Sequence, residues 1–230
     1  MHISIIIPAL NEAACISETL AALRKLDGEK EIILVDGGSS DDTRTIAAAA
    51  GVAVSTAPRG RGTQLHAGAV AATGDVLWFV HADTVPPPHA LTEILNCLDD
   101  PSIAGGNFGL LFDGPSRAAR QLTAIYPFLR MMRLSYGDSG IFVRRTVYDA
   151  IGGVRPLALF EDLDLLRRLR NSGRFVHLPS QIRTSSRRFE KRNFAGMWMH
   201  WTVLQILYWC GVSPNWLARW YGHARRESRS

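Results

Sequence analysis

Apolar, largely β-branched residues come in short runs over the first hundred positions, and most runs stop abruptly at polar or small residues. Ile3-Ser-Ile-Ile-Ile7 ends at Pro8-Ala-Leu-Asn-Glu12, and Ile32-Ile-Leu-Val35 ends at Asp36-Gly-Gly-Ser-Ser-Asp-Asp-Thr43. Val52 to Ser55 is a shorter run, and Asp75-Val-Leu-Trp-Phe-Val80 ends at His81-Ala-Asp-Thr84. Runs this continuous fit strands buried on both faces. Helical spacing fills the intervals. Ile16, Leu20 and Leu23 share one face of a helix predicted over Glu12 to Leu26, with Ser17 and Glu18 facing water and Gly28 past its end. An Ala-rich helix is predicted over Asp41 to Ala50, capped by Asp41 or Asp42 and ended by Gly51. A second follows the loop Pro58-Arg-Gly-Arg-Gly-Thr63 and runs to about Ala72, and another runs through Leu98. The order βαβαβαβα predicts an α/β fold with a mostly parallel sheet and helices on both faces.

The second half is less regular. Gly105-Gly-Asn-Phe-Gly-Leu-Leu-Phe112 reads as a strand that starts at a close backbone approach, since its glycines remove obstructing side chains. A helix is predicted over Ser116 to Arg133, a strand over Gly137 to Val143, and a late strand over Phe175 to Leu178. Phe160-Glu-Asp-Leu-Asp-Leu-Leu-Arg-Arg-Leu169 reads as a helix start, with acidic residues favoured by the helix dipole in its first turn. Asp164 is expected on that helix's surface. Phe194 to Val212 is apolar on nearly every helical face.

Length and composition bound the picture. The chain has 230 residues, 47% of them hydrophobic, enough to bury a substantial core. Net charge is +5, but residues 183 to 230 carry nine Arg and Lys against Glu190 and Glu227. Basic character therefore belongs to the tail. This excludes a nucleic-acid partner bound along a basic face and suits a phosphate site or an anionic membrane surface. Cys15, Cys97 and Cys210 form no pair at metal or redox spacing, so a reducing, cytoplasmic setting is expected. With strand-forming sequence from Ile3, no signal peptide is expected. His177, His200 and His223 have no metal-like spacing.

Ligands of open α/β sheets bind beyond the carboxyl ends of the strands. A ligand pocket is therefore expected from Pro8, Ala9, Asn11, Glu12, Asp36 and the Arg59 to Gly62 loop. Asp36 would accept hydrogen bonds from a base or ribose, and Arg59 would approach the base or diphosphate. No G-x-G-x-x-G follows the first strand, which argues against a dinucleotide dehydrogenase. Arg187 and Arg188, in the stretch Thr184 to Phe189 with Lys191 and Arg192 beyond it, are candidates for binding a phosphate group.

Taken in order, Pro8-x-x-Asn11-Glu12, Val35-Asp-Gly-Gly-Ser39, His81-Ala-Asp83 and Glu161-Asp162 resemble the inverting glycosyltransferases of family two, which have the GT-A fold and use nucleotide-diphosphate sugars. The resemblance covers about residues 3 to 190 and is closest to a small bacterial group with His-Ala-Asp where the family carries Asp-x-Asp. It implies that Asp83 is the ligand of a divalent ion, Mg²⁺ or Mn²⁺, with His81 and Ala82 beside the diphosphate. It further implies that Asp162 is the catalytic base, with Glu161 orienting the acceptor or the base. A GT-A domain over 1–190 and a helical tail over 191–230 follow as the expected organisation. The tail would pack on the domain, on a partner subunit as a homodimer, or peripherally on the inner face of a membrane, where it could admit a lipid-linked acceptor. The 19 residues of its apolar run, Phe194 to Val212, are marginal for a membrane span. The alternatives are a nucleotidyltransferase of related fold, which would want a Gly-rich basic loop after the first strand, and a catalytically silent nucleotide-sugar-binding protein.

Overall fold

The computed structural model describes residues 1–132, 134–187 and 194–227. The first half alternates as expected: β1 (Ile3–Ala9), α1 (Ile16–Arg24), β2 (Lys30–Asp36), α2 (Thr43–Ala49), β3 (Ala53–Thr56), α3 (Arg61–Ala71) and β4 (Val76–Phe79). Then come β5 (Thr84–Val85), α4 (Ala90–Cys97), β6 (Ile103–Asp113), α5 (Arg117–Met131), a 3₁₀ turn at Gly137–Ser139, β7 (Phe142–Arg144) and α6 (Arg145–Ala150). The chain continues through α7 (Glu161–Ser172), β8 (Arg174–Ser185), α8 (Phe194–Trp209) and α9 (Pro214–Glu227).

All eight strands form one sheet in the order β3-β2-β1-β4-β7-β6-β8-β5. β1 pairs in parallel with β2 and β4, and β2 with β3. Antiparallel β7 then joins this parallel block to β6, which runs parallel to β8. Ile5, Ile7, Leu34 and Trp78 lie in a core layer on one face of the sheet, and Ile6, Val35, Leu77 and Phe79 lie in a layer on the other. Burial on both faces is why these strands read as unbroken apolar runs. The architecture is a mixed α/β fold with a largely parallel central sheet, flanking helices and a C-terminal helical region, consistent with GT-A.

Several expectations need correction. α1 begins at Ile16 rather than Glu12, because Glu12 to Cys15 are spent in a turn. Gly137 to Val143 is only partly a strand: Gly137–Ser139 coil into the 3₁₀ turn and Gly140 is left-handed, with φ 64°. β8 runs to Ser185, well past Leu178, since β6 and then β5 supply hydrogen-bonding partners along its length. Asp164 is buried at 2% exposure rather than lying on the helix surface. It accepts from Arg168 Nε (2.8 Å) and pairs with Arg155 and Arg167 at 3.5 and 3.6 Å, which is how a carboxylate tolerates burial. The glycines of β6 behave as expected, because a Cβ on Gly105 would sit 2.3 Å from the Phe142 carbonyl oxygen.

α8 and α9 build a small third core with Phe160. Leu204 and Leu217 are fully buried there, and the Phe160 ring lies 5.0 Å from Tyr208 and 6.1 Å from Trp201, centroid to centroid. Phe160 itself is left-handed, with φ 64°, a strained setting for a bulky residue. The aromatic packing from α8 thus holds the residue that launches α7. Among the described residues, no helix is long and apolar enough to cross a membrane.

Candidate active site

The ends of β1 and β2 are tied together by their loops. Asn11 Oδ1 accepts from Ser40 N–H (2.8 Å), Ser39 Oγ accepts from Asn11 N–H (2.9 Å), and Thr43 Oγ1 accepts from Glu12 N–H (2.8 Å). Gln64 of α3 donates Nε2 to the carbonyls of Ala9 and Val35, both at 2.8 Å, and so clamps the two strand ends. Asp36 is buried at the centre of this arrangement. Burial by itself would raise its pKa. The Gly38 and Ser39 N–H groups, at 2.9 and 3.0 Å, the Ser39 hydroxyl and the Arg44 guanidinium outweigh that and hold the carboxyl below its ordinary range.

The loop before α3 departs from expectation. Arg59 is exposed, and Arg61, the first residue of α3, carries the contacts instead. Its Nε donates to Glu161 Oε1 at 2.5 Å and its Nη1 to His81 Nε2 at 3.1 Å. A guanidinium only donates, so His81 Nε2 is the unprotonated nitrogen and its lone pair is engaged. Burial would lower the Arg61 pKa, yet the carboxylates of Glu161, Asp162 and Asp138 hold it above its usual value. Gly62 permits this meeting: a Cβ there would lie 2.6 Å from the Arg155 carbonyl oxygen and 3.2 Å from Glu161 Cβ. Neither Arg61 nor Gln64 carried a sequence signal beyond the loop's general basic, Gly-rich character.

Asp162 lies at the start of α7. Its Oδ2 accepts from the Gly137 N–H at 2.7 Å and its Oδ1 from the Leu163 N–H at 2.8 Å. Burial first, then the neighbouring Glu161 charge, raise its affinity for a proton; Arg61 and the two N–H donors only partly offset them. Asp162 lines a cavity of about 210 Å³ together with Arg61, His81, Asp83, Asp138 and aromatic residues of α5, α8 and α9. Tyr136 Oη donates to Gln205 Oε1 at 3.0 Å across one wall, and burial pushes the Tyr136 hydroxyl up to about 12.

Asp83 stands where that cavity adjoins a second one, of about 310 Å³, lined by Cys15, Glu18, Thr19, Arg183 and Arg187. The short β5–β8 pairing, Thr84 opposite Thr184, brings the end of β8 beside Asp83. Arg187 accordingly reaches Asp83 Oδ2 at 4.0 Å, Glu12 Oε2 at 3.5 Å and Cys15 Sγ at 3.0 Å. Burial, reinforced by Glu12, pushes the Cys15 thiol up to about 12, so it is no nucleophile. Arg188, Lys191 and Arg192 lie outside the described residues. Pro8, Ala9, Asn11, Glu12 and Asp36 thus gather at one edge, while Gly62, His81, Ala82, Asp83, Glu161 and Asp162 gather where α3, β4 and α7 converge. No cluster of three or more metal-ligating side chains occurs among the described residues.

With this geometry in view, comparison with known proteins is informative. A glycosyltransferase of Nostoc sp. without a characterised activity is 29% identical over 177 residues, 68% of this chain and 55% of its own. A mannosyltransferase from Pyrobaculum calidifontis, solved with GDP-Man and Mn²⁺, superposes with TM-score 0.67 at 19% identity over 82% of this chain and 58% of its own. Glucosyl-3-phosphoglycerate synthase from Mycobacterium tuberculosis, solved with Mn²⁺, UDP and glucosyl-3-phosphoglycerate, gives TM-score 0.60 at 23% identity over 92% of this chain and 80% of its own. These likenesses establish the fold, and the chain spans about half the length of the Nostoc relative. The sequence model described as "Glycosyl transferase family 2" matches residues 4–150, from the first strand through α6, so the chain belongs to glycosyl transferase family 2.

Proposed function

We propose that the chain is an inverting glycosyltransferase that moves a sugar from a nucleotide-diphosphate donor to a hydroxyl acceptor. The observation that carries this reading is Asp162: a buried carboxylate with raised proton affinity, aimed by two backbone N–H groups, in a cavity that also contains Asp83. A general base works best when its pKa approaches the working pH, and burial beside Glu161 moves Asp162 in that direction. In the step proposed, the acceptor hydroxyl passes its proton to Asp162 as its oxygen bonds to the anomeric carbon. The bond from that carbon to the diphosphate breaks on the opposite face, and the nucleotide diphosphate leaves with the electron pair. Glu161 is engaged by Arg61, so its role is to hold Arg61 and the charge balance around the base. Asp36, Asn11 and the backbone of Pro8 to Glu12 receive the nucleoside, and Arg187 neutralises the diphosphate.

A divalent ion fits Asp83 as its protein ligand. One carboxylate suffices for Mg²⁺ or Mn²⁺ when diphosphate oxygens and water complete the shell. His81 is not assigned to the ion, because its Nε2 lone pair is engaged by Arg61. The ion would supply charge neutralisation of the leaving group. Placement in the group with His-Ala-Asp for Asp-x-Asp, a catalytic unit over 1–190 with a helical cover over 191–230, and a cytoplasmic setting belong to the same reading.

The test is a panel of UDP- and GDP-sugars followed by thermal shift with and without Mn²⁺, since a ligand of the folded form raises its midpoint. A sugar that raises the midpoint is then assayed for donor hydrolysis, and the anomer of the product is read by NMR. Stabilisation that Asp83→Ala or a chelator removes supports the ion at Asp83. Retention of the anomeric configuration would sink the single-displacement mechanism. Binding without any turnover would favour the silent nucleotide-sugar-binding alternative, and formation of UTP or GTP with sugar 1-phosphate when pyrophosphate is added would favour a nucleotidyltransferase.

A further inference from the structure

The helices that frame the Asp162 cavity carry large exposed apolar residues on their outer sides, among polar ones, as well as apolar residues on their inner sides. Leu122 and Leu129 of α5, Trp198 and Trp201 of α8 and Tyr221 of α9 line the cavity. On the outside of the same three helices, Phe128, Met131, Met199, Trp209, Trp216 and Trp220 are exposed. Single exposed apolar residues need no explanation, but three tryptophans and a phenylalanine exposed on the helices that frame one cavity do. Trp216 and Trp220 stand together, ring centroids 6.2 Å apart.

Charge narrows what can enter. Among the described residues lining the cavity, Asp83, Asp138 and Asp162 are carboxylates; Arg187 lies 4.0 Å from Asp83, and the one lining Lys or Arg, Arg61, is paired with Glu161 beside Asp162, which leaves carboxylates in excess on the Asp162 wall. An anionic acceptor would be repelled by the base itself. Gln205 lines the same cavity, and its Nε2 is buried without a hydrogen-bond partner among the described residues, a donor suited to a neutral oxygen. The tail sequence, +7 over residues 183 to 230, disfavours a second copy of this chain on the tryptophan face and attracts an anionic bilayer.

We propose that the acceptor is a neutral lipid alcohol, a hydroxyl on a long apolar chain, drawn from a bilayer surface met by α5, α8 and α9. The proposal rests on the glycosyl-transfer reading of Asp162. It assigns the aromatic walls to the chain, Gln205 Nε2 to a neutral oxygen of the lipid and the exposed tryptophans to the interface, where such side chains concentrate. The hydroxyl gives its proton to Asp162 while its oxygen bonds to the anomeric carbon and the diphosphate departs.

Two binding measurements on the full chain test this. 11-Bromo-1-undecanol is titrated against tryptophan fluorescence and thermal midpoint, with 3-phosphoglycerate as an anionic hydroxyl probe. Saturable quenching and a raised midpoint with the alcohol, and neither with 3-phosphoglycerate, are expected. Absence of saturable quenching, or a larger midpoint rise with 3-phosphoglycerate, overturns the lipid acceptor. Phosphatidylcholine–phosphatidylglycerol vesicles with brominated acyl chains should co-sediment with the protein and quench it. The Trp209→Ser/Trp216→Ser/Trp220→Ser variant should lose at least tenfold in vesicle binding while still responding to the bromo-alcohol. A dimer in solution with no vesicle binding overturns the bilayer and assigns the tryptophans to a second copy. UDP- and GDP-sugar binding with Mn²⁺ is measured in parallel. If donors bind and the alcohol does not, only the lipid acceptor fails; if no donor binds, the glycosyl-transfer reading fails with it.

Discussion

Asp36 and Asp162 are both buried carboxylates in the same cleft-bearing sheet, yet their proton affinities move in opposite directions. Asp36 sits in the N-terminal, parallel half, where the next three residues of its own loop turn two N–H groups and a hydroxyl onto it. Asp162 sits in the mixed half, where one donor is local and the other, Gly137 N–H, comes from 25 residues earlier, with a second carboxylate beside it. Burial works against both charges. At Asp162 burial prevails and the Glu161 charge adds to it, whereas at Asp36 the hydrogen-bond donors and Arg44 outweigh burial. A group that binds by accepting hydrogen bonds is best kept ionised, while one that takes a proton is best held closer to neutrality. Two buried carboxylates of one sheet thus differ in the direction in which their surroundings move the proton.

The comparison is broken most directly by removing each charge. Asp162→Asn should lower transfer about 100- to 10,000-fold, the usual worth of a general base, while nucleotide-sugar affinity stays within a few-fold. Near wild-type turnover would remove Asp162 from the chemistry. Asp36→Ala should act on the other quantity: loss of a charged hydrogen-bonding partner, roughly 1.5 to 3 kcal/mol, weakens donor binding about 10- to 150-fold. Calorimetric titration of the donor against each variant separates the two effects. If both variants lose affinity equally, the division of labour between the halves is wrong.

A third change probes the seam between the halves. Gly62→Ala places a methyl 2.6 Å from the Arg155 carbonyl and against Glu161 Cβ, so α3 must move away from α7 and strain the Arg61–Glu161 pair. Overpacking of this kind costs about 1 to 3 kcal/mol. Urea denaturation should report that loss, together with a drop in kcat larger than any change in donor affinity.

The smallest effect sharpens the pKa contrast. Because the folded pKa of Asp162 is raised, the folded protein holds that proton more tightly than the unfolded chain. The unfavourable burial of its charge is absent below the unfolded value, about 3.9, and fully present above the folded pKa. The midpoint difference between Asp162→Asn and wild type should therefore shift in the variant's favour as pH rises from about 4 to 8. For Asp36, whose folded pKa is lowered, the sign reverses: its stabilisation is present above the unfolded pKa and fades as pH falls through the folded one. Thermal scans of Asp36→Asn and Asp162→Asn across pH should give opposite slopes. Parallel slopes would refute the contrast.

The strands β1, β2 and β4 and the carboxylates at their ends were legible because each is written within ten consecutive residues. The acceptor side was legible only in part. Nothing near Arg61 distinguishes it from Arg59; the start of α3 at Arg61, two residues on, decides which reaches Glu161. Asp164 looked like a solvated helix residue because Arg155 and Arg168, its partners, count as ordinary surface charges until α7 packs beside the 151–155 loop. Gly137 to Ser139 has strand-like neighbours, and its coil exists because the Asn107 amide donates to the Ser139 hydroxyl and Asp162 takes the Gly137 N–H.

Sequence alone determined what is local: the alternation of buried strand and helix in the first hundred residues, the polar strand ends, the acidic start of α7 and the basic, aromatic tail. Periodicity and turn chemistry act over a few residues, so they are visible without the fold. Tertiary structure decided the antiparallel insertion of β7, the pairing of β5 with β8 that carries Arg187 to Asp83, and the closing of the Asp162 cavity by α8. Each depends on groups up to a hundred or more positions apart whose desolvation and hydrogen bonding exist only once the sheet has assembled.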